Sequence, residues 1–188
     1  MTENTDIALE QRKGLPDALR VLADSMPRAT WESHPKFDGL TRFWMERHLM
    51  FRELLGRLQA GTEGFLSGEA EAMAYGRETQ RYAAFLLNQL HEHHHIEDHH
   101  YFPQMRLIEP RLERGFEILD ADHHALDGHI HDLARGTEAV LRALPEGKGQ
   151  DPAGALRAQL AGFSAFLDRH LEDEEDLIVP VILKHGLG

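Results

Sequence analysis

Six of the chain's fourteen histidines fall within the thirteen residues His91 to Pro103, which read HEHHHIEDHHYFP and include Glu97 and Asp98. In a helix, residues three or four apart share a face. The apolar residues leading in choose that face. Leu86, Leu90, His93, Glu97 and Tyr101 form one stripe, so His93 and Glu97 are predicted to point into a core. Most of the other histidines then flank the stripe or face away. A neutral imidazole and a carboxylate are costly to bury without partners. A metal ion satisfies both, and His with Glu on inward helix faces is how four-helix bundles build dinuclear metal sites.

A second copy of the pattern lies near the C-terminal end. His93-x3-Glu97-x5-Pro103 is matched by His170-x3-Glu174-x5-Pro180. The stripe Phe163, Leu167, His170, Glu174 and Ile178 repeats the inward geometry. A competing register aligns HIED at His95 with HLED at His170, but it sets the two prolines at unequal offsets, so the first register is preferred.

The elements that must position these residues can be read in chain order. Residues 1–14 are polar and expected to be loose. Leu15 to Met26 suits a short amphipathic helix (Leu19, Val21, Leu22) ending before Pro27. Residues 27–37 read as a connection, with His34 at the surface. The first long helix is predicted from about Phe37 to Leu58, with Trp44, His48, Phe51, Leu55 and Leu58 inward. A lone core histidine is usually structural, but His48 stands beside two His/Glu pairs elsewhere, which favours a ligand. Gly61 to Gly68 (GTEGFLSG) is expected to be a turn. The second helix runs from about Glu69 to Tyr101 and ends by Pro103, because proline disfavours helix in the residue before it. Met105 to Ile108 is a short apolar segment.

The third helix is expected from about Arg111 to Leu144, with Phe116, Leu119, His123, Leu126, Ile130 and Leu133 inward. Asp127 lies one turn beyond His123, where it could share a metal. His124, His129 and His131 fall off the stripe and read as solvated or supporting residues. Gly147 to Gly154 is a loop, and the fourth helix runs from Asp151 to about Leu183. Its acidic run EDEED reads as a solvated face, apart from Glu174 on the stripe. The chain between His48 and His123 nearly equals that between His93 and His170, which suggests a pseudo-repeat of helix pairs. The expected fold is all-α: an up-down-up-down four-helix bundle over 37–188 with a short N-terminal helical extension over 1–36.

The totals limit the alternatives. A length of 188 residues fits one domain with a full core. Cysteine is absent, which excludes disulfides, zinc-thiolate sites and iron–sulfur clusters. The formal net charge of −12 argues against nucleic acid or an anionic membrane as the main partner. The N-terminus has no apolar signal core, and no run approaches the roughly 20 residues of a membrane span, so a soluble, cytoplasmic protein is expected. No Gly-rich phosphate loop or G-x-S-x-G elbow is present.

Four words in order resemble the hemerythrin-like (HHE) cation-binding domain. They are His48, with Arg47 before it and Met50-Phe51-Arg52 after; His93-His94-x2-Glu97-Asp98 with Phe102-Pro103; Asp122-His123-x2-Leu126-Asp127; and His170-Leu171-x2-Glu174-Glu175 with Pro180. The resemblance spans about residues 37–183. It implies two non-haem iron ions with an oxo or hydroxo bridge inside the bundle. Carried over, His48, His93, His123 and His170 would be terminal ligands, and Glu97 and Glu174 would bridge. Hard oxygen donors suit Fe(III), although His/carboxylate sites also accept zinc or manganese.

One departure matters. Oxygen-carrying members supply H-x3-H from the third helix, whereas here Asp127 stands four after His123. The chain therefore resembles a carboxylate-richer branch, expected to have a lower potential and faster autoxidation than an oxygen carrier. Tyr101 either donates a hydrogen bond towards the site or is a core aromatic. Three functional classes follow. One is a diiron protein that binds or senses oxygen, nitric oxide or iron. Another is a diiron enzyme acting on peroxide or nitric oxide. The third is a histidine-rich structural bundle without physiological metal.

Overall fold

The computed structural model describes residues 8–37 and 39–187, and the regular structure among them is helical. Six α-helices follow in order: α1 Val21–Ser25, α2 Gly39–Leu66, α3 Ala72–Ile96, α4 Phe102–Ile108, α5 Glu113–Ala143 and α6 Gln150–His185. None is long and apolar enough to cross a membrane.

The four long helices form where the apolar stripes run, and the structure departs from the sequence expectations at two of their ends and in the segment before them. First, α2 continues through Gly61 and Gly64 to Leu66. An interior glycine costs only about 1 kcal/mol against alanine, which packing outweighs. The chain turns at Gly68 instead, where φ is +81°. There the amides of Glu69 and Ala70 donate to the Gly64 carbonyl at 2.9 and 3.0 Å, closing the helix end. Second, the helix through His93 does not end at Pro103. It widens into a π turn over Glu97–Tyr101, with the Phe102 amide donating to the Glu97 carbonyl, and continues as α4. In a regular helix the Pro103 ring would meet the His99 carbonyl; the wider turn lies directly before it. Third, the expected helix over 15–26 is a 3₁₀ turn, Asp17–Leu19, followed by the short α1. Val21 is exposed there while Leu15, Leu19 and Leu22 are buried.

Residues 1–7 lie outside the described residues, but 8–14 are not loose as expected. The amides of Gln11 and Arg12 donate to the Ala8 carbonyl, and Leu9 and Arg12 are buried. His34 is half-buried rather than fully at the surface, and its Nδ1 accepts from the Lys36 amide at 3.2 Å.

The chain divides into two compact units. One comprises Met1–Leu49, His94–Ala125 and Phe166–Gly188; the other comprises Met50–His93 and Leu126–Ala165. In the first, Leu15, Leu19 and Leu22 join Trp44, Phe102, Phe116, Leu119, Leu177 and Ile178 in one apolar cluster. Trp31 is buried against Val179 and Leu183. In the second, Leu55 and Leu58 of α2, Leu86 and Leu90 of α3, Leu133 of α5 and Leu156 and Leu160 of α6 are buried.

Candidate metal centre

Each of the three histidines His48, His123 and His170 stands between two carboxylates, one at each ring nitrogen. On the outer side, Nδ1 of His48 pairs with Glu175 Oε1 at 3.0 Å, Nδ1 of His123 with Asp98 Oδ1 at 2.8 Å, and Nδ1 of His170 with Asp122 Oδ2 at 3.3 Å. With these carboxylates ionised, the imidazole donates, which leaves the lone pair on Nε2. On the inner side, Nε2 of His123 faces Glu97 Oε2 at 3.5 Å, and Nε2 of His48 and of His170 each face Glu174 Oε2 at 3.5 Å. Orienting a ligand imidazole through a carboxylate on its other nitrogen is the usual arrangement around a protein-bound metal.

The helices explain this pairing. Glu97-Asp98, Asp122-His123 and Glu174-Glu175 are neighbours in sequence. One member of each pair is inner and the other serves as the outer partner of a histidine. Neighbours are about 100° apart on a helix, so one lies on the inward face and the other at its flank. Glu97 opens the π turn. Trp44, one turn before His48 on α2, donates from Nε1 to Glu174 Oε1 at 2.6 Å and so fixes that carboxylate's direction.

Two sets of ligand atoms come together within the first unit. Those of His94, His123 and His170 lie within 4.8 Å of one another, as do those of His48, Glu97 and Glu174. All six residues are buried. The rings of His94 and His123 stack at 4.0 Å between centroids, and the His170 ring meets that of His123 edge-on at 4.8 Å.

The electrostatics suit a cation. Burial, then Glu174 and Asp98, push the Glu97 carboxyl well above the usual carboxylate range. Burial pulls His48 down, but Glu174 and Glu175 outweigh it and raise its pKa. Burial lowers His170, only partly opposed by Asp122. Burial would raise Asp122, yet its bonds with His170 and Arg12 bring it lower. Among the described residues, Nε2 of His123 and Nε2 of His170 are buried without a hydrogen bond. An imidazole lone pair left this way is costly, and a metal ion would satisfy it. The donor set, imidazole with carboxylate, suits iron, zinc or manganese.

The remaining sequence-derived candidates are placed as follows. His93 is half-buried and belongs to the second unit, where its ring lies 5.2 Å from that of Phe51. Asp127 is half-buried in the second unit, where its backbone carbonyl accepts from His131 Nδ1 at 2.7 Å. Among the described residues, Asp127 belongs to neither ligand group. Tyr101 is half-buried, with its ring edge-on to Trp44 at 4.9 Å. The sequence reading passed over His94. A residue three before Glu97 shares its face as well as one four before, and the doubled histidine was the available signal. It also gave no role to Asp98, Asp122 or Glu175, whose adjacency to inward residues was the clue.

A family model described as the Hemerythrin HHE cation binding domain matches residues 39–182. No curated protein and no solved structure matches the chain.

Proposed function

Because the chain belongs to the hemerythrin HHE cation-binding domain family, we propose that it is a metal-binding protein holding two non-haem iron ions, and that it binds or senses oxygen, nitric oxide or iron. The observation that carries this reading is the repeated relay of outer carboxylate, histidine and inner carboxylate at His48, His123 and His170.

His94, His123 and His170 are assigned to one ion. His48 is assigned to the other, beside Glu97 and Glu174. Glu97 and Glu174 would each supply a carboxylate. This set contains four imidazoles and two carboxylates, all within the first unit. The doubled histidine of α3 thus adds His94, beside His123 and His170, to the imidazoles expected from the sequence. When bound, the iron pair would supply reversible one-electron chemistry and a position for a small ligand. The chain's own residues orient the donors: Glu175, Asp98 and Asp122 hold three imidazoles by Nδ1, and Trp44 holds Glu174. Glu97, His48 and Glu174 are at most 1 % exposed, so the inner carboxylates act in a medium that strengthens their hold on a cation.

The test is the metal content of purified protein and its absorption spectrum before and after azide. About two irons per chain, with near-ultraviolet bands that azide shifts, is the expected result. Failure to take up Fe(II) anaerobically would overturn the reading. Rapid peroxide consumption by the same sample would move the assignment to an enzyme.

A further inference from the structure

The family match begins at residue 39, yet two arginines that precede it reach into the support of the metal centre. Arg12 is buried and forks onto Asp122: Nη1 donates to Oδ1 at 2.9 Å and Nη2 donates to Oδ2. Its Nε donates to Asp173 at 2.7 Å. Arg28 donates from Nη1 to Glu175 and from Nε to Asp176 at 2.8 Å, and its guanidinium lies 5.0 Å from the centre of the Trp31 ring. Asp122 and Glu175 are the outer partners of His170 and His48.

A carboxylate that accepts from Nδ1–H makes the imidazole a stronger donor at Nε2. A guanidinium on that carboxylate competes for its electron density and fixes its plane. We propose that Arg12 and Arg28 are positioning residues of the metal centre: each clamps the carboxylate behind one ligand histidine, so the segment preceding the family domain sets the donor strength of His170 and of His48. Anchoring the segment does not require these pairs, because Leu15, Leu19, Leu22 and Trp31 already bury it. Burying a guanidinium with carboxylates carries a desolvation cost that apolar side chains would avoid. This inference rests on the metal-binding reading above.

The test uses the full chain with Arg12→Met, Arg12→Lys, Arg28→Met and, as control, Arg169→Met. Arg169 holds the same segment through the Lys13 carbonyl and bonds to Asp173, which partners no ligand histidine in these relays. In metal-free protein labelled with ¹⁵N-histidine, Arg12→Met should shift the Nδ1–H signal of His170 and leave those of His48 and His123 in place. Arg28→Met should shift that of His48 alone, and Arg12→Lys should restore most of the His170 signal. In iron-loaded protein, Arg12→Met and Arg28→Met should each raise the preference for Fe(III) over Fe(II) roughly tenfold, read from the midpoint potential. If both variants lower the melting temperature as Arg169→Met does while the histidine signals and the potential stay at wild-type values, the arginines only anchor the segment and the proposal falls. If wild-type protein takes up no iron, the functional reading fails, and the metal-free histidine signals alone decide the clamp. Arg28 has an exposed side chain, so its variant keeps the test open should Arg12→Met fail to fold.

Discussion

Trp44 Nε1 and Glu174 Oε1 are 2.6 Å apart, and both residues are buried. The indole N–H is a donor with no acceptor role, and it leaves Oε2 of Glu174 facing His48 and His170. Trp44→Phe keeps an aromatic ring against Tyr101 but removes the donor. A hydrogen bond to a buried charge contributes about 1.5–3 kcal/mol. The variant should lose stability of that order, and metal affinity should fall about 10- to 100-fold, as for other outer partners of ligands. Anaerobic competition against a chelator measures the affinity. Unchanged affinity would show that Glu174 is oriented without Trp44.

The metal-free site should make the protein sensitive to rising pH. Burial with Glu174 and Asp98 raises the Glu97 pKa, and Glu174 with Glu175 raises that of His48 against the effect of burial. Both groups bind a proton more tightly folded than unfolded. Their contribution to stability is fully present below the ordinary values of 4.5 and 6.5, and is lost as pH rises through the higher folded values. His170, lowered by burial, works in the opposite sense: its contribution is lost as pH falls through its folded value. Glu97→Gln isolates one side of this balance. Metal-free Glu97→Gln should lose less melting temperature than metal-free wild type as pH rises above 4.5. Parallel curves for the two proteins would show that Glu97 does not titrate there.

Helical period and burial decide how much of the site was legible in sequence. His48, His123 and His170 lie on apolar stripes with a helical period, and the structure buries all three. The His93–His94 doublet was harder. Spacings of three and four both return to one face, and only packing shows His94 buried and His93 half-buried. The π turn was not legible, because Pro103 signals an interruption without saying whether the helix stops or widens. Arg12 was the least accessible. Nothing local marks a lone arginine in a polar segment as buried; its burial depends on Asp122 and Asp173, far along the chain.

A second pH response belongs to a site outside both groups of ligand atoms. Glu109 lies between Arg111, Lys184 and His185, and the hydrogen bonds from Arg111 and Lys184 hold its pKa at about 2, against an ordinary 4.5. A depressed carboxyl contributes stability that is present above the ordinary value and is lost as pH falls through the folded one. Glu109→Gln should therefore be less stable than wild type at neutral pH, and the gap should close between pH 4.5 and about 2. Urea unfolding at stepped pH measures it. A gap that persists undiminished at the acid end would assign the loss to packing rather than charge.

Gly115 tests the packing of α5 on α6. A Cβ built there would lie 2.7 Å from Leu177 Cδ1 and 2.9 Å from Cδ2, closer than carbon atoms approach without displacement. Two effects oppose each other in Gly115→Ala. Alanine in a helix interior favours the fold by about 1 kcal/mol over glycine. Crowding a filled core costs about 1–3 kcal/mol, because Leu177 is fully buried and any shift presses on its neighbours. The crowding should win, leaving a net loss of about 1 kcal/mol in thermal or urea unfolding. Gly128, also on α5, has nothing among the described residues within 4 Å of such a Cβ, so Gly128→Ala carries the helix gain alone and should stabilise. If Gly115→Ala stabilised as much as Gly128→Ala, Leu177 would have room to move, and the close approach of α5 to α6 would not be what requires glycine at 115.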